Sequence, residues 1–242
     1  MSQNGSNEDV EKAQPRLARV ITPGGHPADF SQPSMPLSHR KYGNPVPIGL
    51  TSFGCGFFLA SALTLYTRQV HIPNMVVPIV ILYGGITQTL CGWWEMFLGN
   101  TFSATIFGSY GAFNLTYGAI YLPAFGVIQA YQNADGTMKP EFNQAVGLYM
   151  MAWMMVTILF ILGALRSSLA VLLTLVFTGL TYLTLGIYYF YALDGARIAG
   201  GVFGMLATAA AWWAAMSGFW HPDSTFAFIR VGPIDLSPKK RS

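Results

Sequence analysis

Six apolar stretches follow one another between two polar ends of the chain. They cover approximately residues 46–66, 75–98, 104–128, 146–165, 169–193 and 198–220, and the connectors between them are short. A helix needs roughly 20 apolar residues to cross a bilayer, and each stretch is about that long. The pattern therefore predicts an all-α integral membrane protein with six transmembrane helices in one domain over residues 44–220.

The two ends are polar. Residues 1–43 are rich in Ser, Pro, Asn and Gln and lack apolar periodicity, so they bury too little surface to offset the entropy of ordering. We therefore predict a disordered N-terminal tail over residues 1–43 and a second tail over residues 221–242. No signal peptide precedes the first apolar stretch, so we expect that stretch to direct membrane insertion itself.

Composition supports the membrane class and excludes others. The chain is 52% hydrophobic and only 10% charged, whereas soluble domains are about a quarter charged. A net charge of +3, confined to the ends, does not indicate a nucleic-acid partner. Cys55 and Cys91 both lie in apolar stretches without metal-ligand spacing, so we predict no disulfide, metal site or cofactor.

Lys and Arg are distributed unequally across the predicted membrane. With a cytoplasmic N-terminus, ten of the 13 basic residues lie inside and three outside, as the positive-inside rule favours. We therefore expect a multi-pass plasma-membrane protein with both termini in the cytoplasm. The three outer residues are Arg68, Lys139 and Arg197.

Polar residues within the apolar stretches narrow the function. Glu95 is the one carboxylate close to a stretch, which argues against a buried proton relay or a voltage sensor. It either acts at the mouth of a path or pairs with Asn100 at the end of a helix. Gln88 and Asn114 are amides in apolar stretches, so they face either another helix or a wet cavity.

The heptad at residues 44–50, Asn-Pro-Val-Pro-Ile-Gly-Leu, marks the start of the first stretch. Pro47 has no N–H, and Pro45 disfavours the helical region for Asn44, so a helix begins here and not earlier. Two interpretations stay open from these residues alone. The prolines are ordinary helix-start residues, or they leave unpaired backbone at the mouth of a path.

The heptad also resembles the signature of the acetate uptake transporter family, which includes bacterial succinate–acetate permeases and fungal ammonia/acetate membrane proteins. The resemblance covers about residues 44–220, and the long N-terminal tail is closer to the fungal branch. Further motifs agree in order and spacing. They are Phe53-Gly54, Tyr83-Gly84-Gly85-Ile86-Thr87-Gln88, Gly92-Trp93-Trp94-Glu95, Gly99-Asn100-Thr101-Phe102 and Ser109-Tyr110-Gly111-Ala112-Phe113.

This resemblance implies an architecture and a set of path residues. It implies a homohexameric ring in which each six-helix protomer has its own pore. The pore is expected to narrow at Phe53 and Tyr110, with Thr178 near the third position, where bacterial members have leucine. The remaining substrate-path residues that we predict are Asn44, Pro45, Pro47, Gly49, Leu50, Tyr83, Thr87, Gln88, Glu95 and Asn114.

The resulting hypothesis is a membrane transporter or channel for acetate and similar short monocarboxylates. Moving a bare carboxylate out of water is costly, so we expect coupling to proton movement. Two alternatives stay open, namely ammonium or ammonia transport and a non-transporting membrane sensor or organiser. A water or glycerol channel would need two Asn-Pro half-helices, and this chain has one Asn-Pro pair. No enzyme is expected, because all four His residues lie outside the stretches. They are His26, His39, His71 and His221.

Overall fold

The computed structural model describes residues 42–232 and 234–236, so nearly all of the predicted N-terminal tail lies outside the described residues. Six long helices make up most of the described chain. They are α1 (Val46–Thr64), α2 (Pro73–Phe97), α3 (Thr101–Ile120), α4 (Glu141–Ala164), α5 (Leu169–Tyr191) and α6 (Asp194–Phe219).

Five of these helices are long and apolar enough to cross a membrane, namely all except α3. This result confirms a multi-pass, mostly helical membrane protein. The exception, α3, has 20 residues but carries a run of hydroxyls and the buried amide of Asn114. These polar groups lower its hydropathy, so whether α3 is a sixth span stays a prediction.

The predicted third stretch, 104–128, is wrong at both ends. Helix α3 begins at Thr101 because the Asn100 side chain accepts a hydrogen bond from the Ser103 backbone N–H at 3.2 Å. It ends at Ile120, and Leu122 is extended with φ −86° and ψ 124°. A residue before proline is driven out of the helical region, so Pro123 ends this helix.

Helix α2 is composite. It opens with a 3₁₀ turn, Pro73–Met75, and continues as a π-helix over Ile79–Thr87 before returning to α-helix at Gln88–Phe97. Pro78 stands directly before the π-helix and has no N–H to donate. The wider π turn shifts the phase of the helix, and it therefore sets the direction in which Gln88 projects.

Small residues let the helices approach closely. Helix α6 packs against both α1 and α5, and its Ala207, Ala211 and Ala215 are fully buried. A Cβ atom on Gly204 would lie 2.0 Å from Oγ of Ser61 on α1. The small residues of α6 therefore form a helix–helix interface within one chain.

Gly92 on α2 provides a test of this packing. A Cβ atom there would lie 2.6 Å from the backbone nitrogen of Gly108 on α3, and backbone cannot move aside as a side chain can. We expect Gly92→Ala to lower the free energy of unfolding by about 1–3 kcal/mol through overpacking. Thermal unfolding in detergent measures the loss.

The matched control is Gly108→Ala, which sits on the other side of the same contact. A Cβ atom on Gly108 meets nothing within 4 Å, and alanine favours the helix by about 1 kcal/mol. We expect this variant to be as stable as the parent or slightly more so. Equal destabilisation by both variants would contradict the proposed backbone contact.

The described part of the C-terminal segment returns to the helix connector at residues 165–168. The Leu169 N–H donates to the Ile234 carbonyl at 2.8 Å, and the Leu236 N–H donates to the Ser167 carbonyl at 3.0 Å. Residues 234–236 therefore pair with the start of α5, although the sequence predicted a tail over residues 221–242.

Candidate transport path

Two cavities lie between the helices. The Gln88 cavity has a volume of about 70 Å³ and opens near the beginnings of α1, α3 and α5. The Arg197 cavity is larger, about 240 Å³, and lies towards the other ends of α1, α3 and α5. The Gln88 cavity is lined by Val46, Leu50, Phe53, Gln88, Phe102, Ser103, Ile106, Phe107, Tyr110, Val171, Thr174 and Leu175.

Aromatic rings separate the two cavities. On α1, Phe53 lines the Gln88 cavity, and Phe57, one turn later, lines the Arg197 cavity. On α3 the change occurs between Tyr110 and Phe113, and on α5 Tyr182 lines the Arg197 cavity. We call these five side chains the aromatic layer.

The rings of the aromatic layer are in mutual contact. Phe53 stacks on Phe57 with centroids 4.4 Å apart and lies 5.9 Å from Tyr110. Tyr182 lies 6.1 Å from Phe57 and 5.0 Å from Phe113. A solute moving from one cavity to the other would have to pass between these rings.

Tyr110 and Thr178 are held in place by hydrogen bonds. The Tyr110 hydroxyl lies 2.9 Å from Oγ1 of Thr157, which itself donates to the Trp153 carbonyl at 2.8 Å. Tyr110 is therefore the donor in its pair with Thr157, and its hydroxyl proton is engaged. Thr178 is fully buried at the level between the cavities and donates to the Thr174 carbonyl at 2.7 Å.

Two buried side chains have unpaired polar atoms, namely Gln88 beside the aromatic layer and Tyr182 within it. Gln88 is 0% exposed, and neither its Nε2 nor its Oε1 has a hydrogen-bond partner among the described residues. The hydroxyl of Tyr182, which lines the Arg197 cavity, is also unpaired. Leaving a buried polar group unpaired costs about 1–3 kcal/mol. Groups of this kind are suited to replacing water around a passing polar solute.

The heptad is arranged around the first turn of α1. Oδ1 of Asn44 accepts the Val46 backbone N–H at 3.0 Å, so this exposed side chain holds the turn. The Pro45 carbonyl accepts from the Gly49 N–H at 3.1 Å and from the Cys91 thiol at 3.2 Å. These contacts position the chain, and Asn44 lies outside the lining of both cavities.

The rest of the heptad divides into packing and lining residues. The Pro47 carbonyl accepts from Oγ1 of Thr51 at 2.7 Å. A Cβ atom on Gly49 would lie 2.6 Å from Sγ of Cys91, so glycine is required for close packing. Leu50 is the heptad residue that, with Val46, lines the Gln88 cavity.

The other predicted path residues are spread over different environments. Asn114 lines the Arg197 cavity and donates from Nδ2 to the Tyr110 carbonyl at 2.9 Å. Tyr83 and Thr87 are half-buried and lie outside the lining of both cavities. Glu95 is buried and accepts a short hydrogen bond from Nδ2 of Asn100, which matches the helix-end interpretation.

Sequence reasoning missed several residues of the path. Phe57, Phe113 and Tyr182 belong to the aromatic layer, and Arg197 lines the larger cavity although it was taken as a connector residue. The spacing of Phe53 and Phe57, one helical turn apart, was a signal for two rings on one helix face. No comparable signal in the sequence relates Arg197 to Tyr182.

Comparison with known proteins places this geometry among transport proteins. A model of the GPR1/FUN34/yaaH family matches residues 28–237. Acetate permease A of Emericella nidulans is 35% identical over 209 residues, covering 84% of this chain and 70% of the permease. Ammonia transport outward protein 2 of Saccharomyces cerevisiae is 33% identical over 201 residues, and the match covers 83% of this chain and 69% of that protein.

A solved structure shares the fold. The structure of the bacterial acetate channel SatP superposes with a TM-score of 0.65 at 28% identity, and the match covers 74% of this chain and 93% of the channel.

Proposed function

This chain belongs to the GPR1/FUN34/yaaH family, and from that membership we propose that it carries acetate and similar short monocarboxylates across a membrane. The path runs within one chain, from the Gln88 cavity through the aromatic layer to the Arg197 cavity. The similarity to acetate permease A and to the SatP channel supports acetate as the substrate.

The observation that carries this proposal is the unpaired amide of Gln88. It lies in the lining of a cavity beside Phe53 and Tyr110. The amide offers a donor to a carboxylate oxygen and an acceptor to a carboxylic acid hydroxyl. A small carboxyl group that has lost its water would satisfy the side chain.

We further propose that acetate moves together with a proton. Crossing the aromatic layer as a bare carboxylate costs several kcal/mol, whereas the neutral acid crosses at much lower cost. Among the described residues, Glu95 is the one buried carboxylate, and Asn100 already binds it. A separate proton relay would need further titratable groups, so the proton is expected to travel on the acid.

Uptake of radiolabelled acetate into proteoliposomes tests transport and coupling together. We expect flux above that of protein-free liposomes, and faster flux when an inward proton gradient is imposed. Gradient-independent flux at constant membrane potential would contradict the coupling while leaving acetate transport intact. No flux above the protein-free level would contradict transport itself.

We also propose the topology, the oligomeric state and the location of the protein from its membership of this family. We propose that α3 is the sixth span, that protomers form a hexameric ring, and that the protein lies in the plasma membrane with both termini in the cytoplasm. Native mass spectrometry measures the number of subunits. Thiol labelling of cysteines introduced at residues 43 and 222 reports on which side the termini lie.

Ammonium is the second candidate, because rings can bind a cation over their faces and the aromatic layer offers several. The relative named ammonia transport outward protein 2 supports it. Uptake of labelled methylammonium into the same proteoliposomes distinguishes the two, since we expect no competition between methylammonium and acetate.

A further inference from the structure

Arg197 stands in an unusual place for a basic residue of a membrane protein. It lies in the first turn of α6, where its side chain is only 9% exposed, and it lines the Arg197 cavity. Among the described residues, it and Glu95 are the two buried charged side chains. A buried guanidinium persists only where its N–H groups find acceptors.

The guanidinium of Arg197 is partly satisfied by protein. Nε donates to Oδ1 of Asp194 at 2.6 Å, and Nη1 donates to the Thr64 carbonyl at the end of α1. The ring of Tyr66 lies beneath it, 4.0 Å from the guanidinium carbon. The hydrogen bonds of Arg197 to the described residues use Nε and Nη1, so the two N–H groups of Nη2 are available to a ligand.

The counter-charge does not cancel this cation within the cavity. The Asp194 side chain is 68% exposed and lies outside the cavity lining, so water screens it. The Arg197 side chain is 9% exposed and lines the cavity, so water screens its charge less than it screens the exposed carboxylate of Asp194. Of the residues that line this cavity, Arg197 alone carries a fixed charge, and its counter-ion lies outside the lining.

A second unpaired group lies in the same cavity. The Tyr182 hydroxyl is buried and has no partner among the described residues. It belongs to the aromatic layer, whereas Arg197 lies in the first turn of α6, next to the connector from α5. The cavity thus presents a cation and, closer to the layer, a neutral donor.

We propose that the Arg197 cavity is an anion-binding vestibule. It holds a monocarboxylate through Nη2 of Arg197 before the acid reaches Tyr182 and the aromatic layer. Arg197 then determines specificity, because it attracts carboxylates and repels ammonium ions. The choice of a carboxylate as ligand rests on the proposed transport function.

The first test is a set of charge variants measured for acetate flux. We expect Arg197→Gln to raise the half-saturating acetate concentration about tenfold, which is the loss of one charge-assisted hydrogen bond of about 1.4 kcal/mol. Asp194→Asn removes the counter-charge and is expected to lower the half-saturating concentration. Arg68→Gln is the matched control, since this exposed arginine lies outside the cavity lining.

The opposite effects expected of Arg197→Gln and Asp194→Asn distinguish a binding role of Arg197 from a structural one. Arg197 and Asp194 support each other in the fold, so a purely structural role would make both variants raise the half-saturating concentration or lower the maximal rate. That result would overturn the proposal, as would a half-saturating concentration unchanged in Arg197→Gln. Arg197→Lys, which keeps the charge, is expected to recover part of the affinity.

A second measurement does not depend on transport. Acetate is expected to raise the thermal unfolding temperature of the purified protein, because a ligand that binds the folded state stabilises it. The shift should be lost in Arg197→Gln and kept in Arg68→Gln, and chloride at equal ionic strength should not reproduce it. An equal shift with chloride would overturn carboxylate binding. If acetate stabilises the protein but is not transported by it, that result would instead contradict the proposed transport function.

Discussion

Replacing Gln88 with leucine is expected to reduce acetate flux by about 10- to 100-fold while leaving the protein at least as stable as before. A hydrogen bond to a charged group contributes about 1.5–3 kcal/mol, and each 1.4 kcal/mol corresponds to about tenfold. Gln88 is the unpaired amide of the Gln88 cavity. Without this amide, a carboxyl group that enters the cavity loses hydrogen bonds to water and does not gain the one to Gln88.

The stability of Gln88→Leu distinguishes an unpaired amide from one that binds another helix. An amide that binds another helix would destabilise the protein when removed, whereas an unpaired amide is already a cost of about 1–3 kcal/mol. Leucine has nearly the same size and needs no partner. We therefore expect the thermal unfolding temperature of Gln88→Leu to stay equal or to rise by a few degrees.

Ser52→Ala is the control for this experiment. Ser52 is as deeply buried as Gln88, but its hydroxyl donates to the Gly49 carbonyl at 2.8 Å and it lies outside both cavities. We expect this variant to transport acetate normally and to lose some stability. A Gln88→Leu protein that unfolds at a clearly lower temperature would show that Gln88 serves packing.

Residue type and spacing predicted much of the fold. The lengths of the apolar stretches predicted five of the long helices to within a few residues at most of their ends, because the thickness of the bilayer sets the length of a helix that crosses it. The amides of Gln88 and Asn114 were predicted to face a helix or a cavity, and both line cavities. These inferences needed only the cost of a polar group in an apolar environment.

The remaining features depend on how helices rotate against one another. The π-helix over Ile79–Thr87 has no periodicity signal, because its apolar residues fit an α-helix equally well. Arg197 was counted as a connector residue, yet α6 begins three residues earlier and turns its side chain back onto Thr64. Contacts between residues 133 positions apart do not follow from local pattern.

The aromatic layer leads to the second large prediction. Replacing Phe53 or Phe57 with alanine is expected to admit bulkier monocarboxylates, so that the ratio of butyrate to acetate uptake rises about tenfold. A difference of one or two methylene-sized volumes in an apolar contact is worth about 1–3 kcal/mol, which sets this scale. Both rings stand between the two cavities, stacked 4.4 Å apart.

Phe58→Ala is the matched control, on the neighbouring residue of the same helix. Phe58 is 45% exposed and stacks on Trp212 at 5.9 Å, on the face of α1 that points away from the cavities. Its removal should leave the uptake ratio unchanged. Tyr110→Phe should also keep the ratio, because it loses only the hydrogen bond to Thr157 and keeps the ring.

The thermal stability of each variant must be measured together with its uptake ratio. Truncating a buried phenylalanine costs about 3–5 kcal/mol. Phe53 is nearly fully buried, whereas Phe57 is only half-buried. Phe57→Ala should therefore unfold at a higher temperature than Phe53→Ala while changing selectivity in the same direction. If Phe57→Ala folds normally and keeps the parent's uptake ratio, the rings do not limit solute size. The restriction then lies elsewhere, with Thr178 and its level of α5 as the next position to vary.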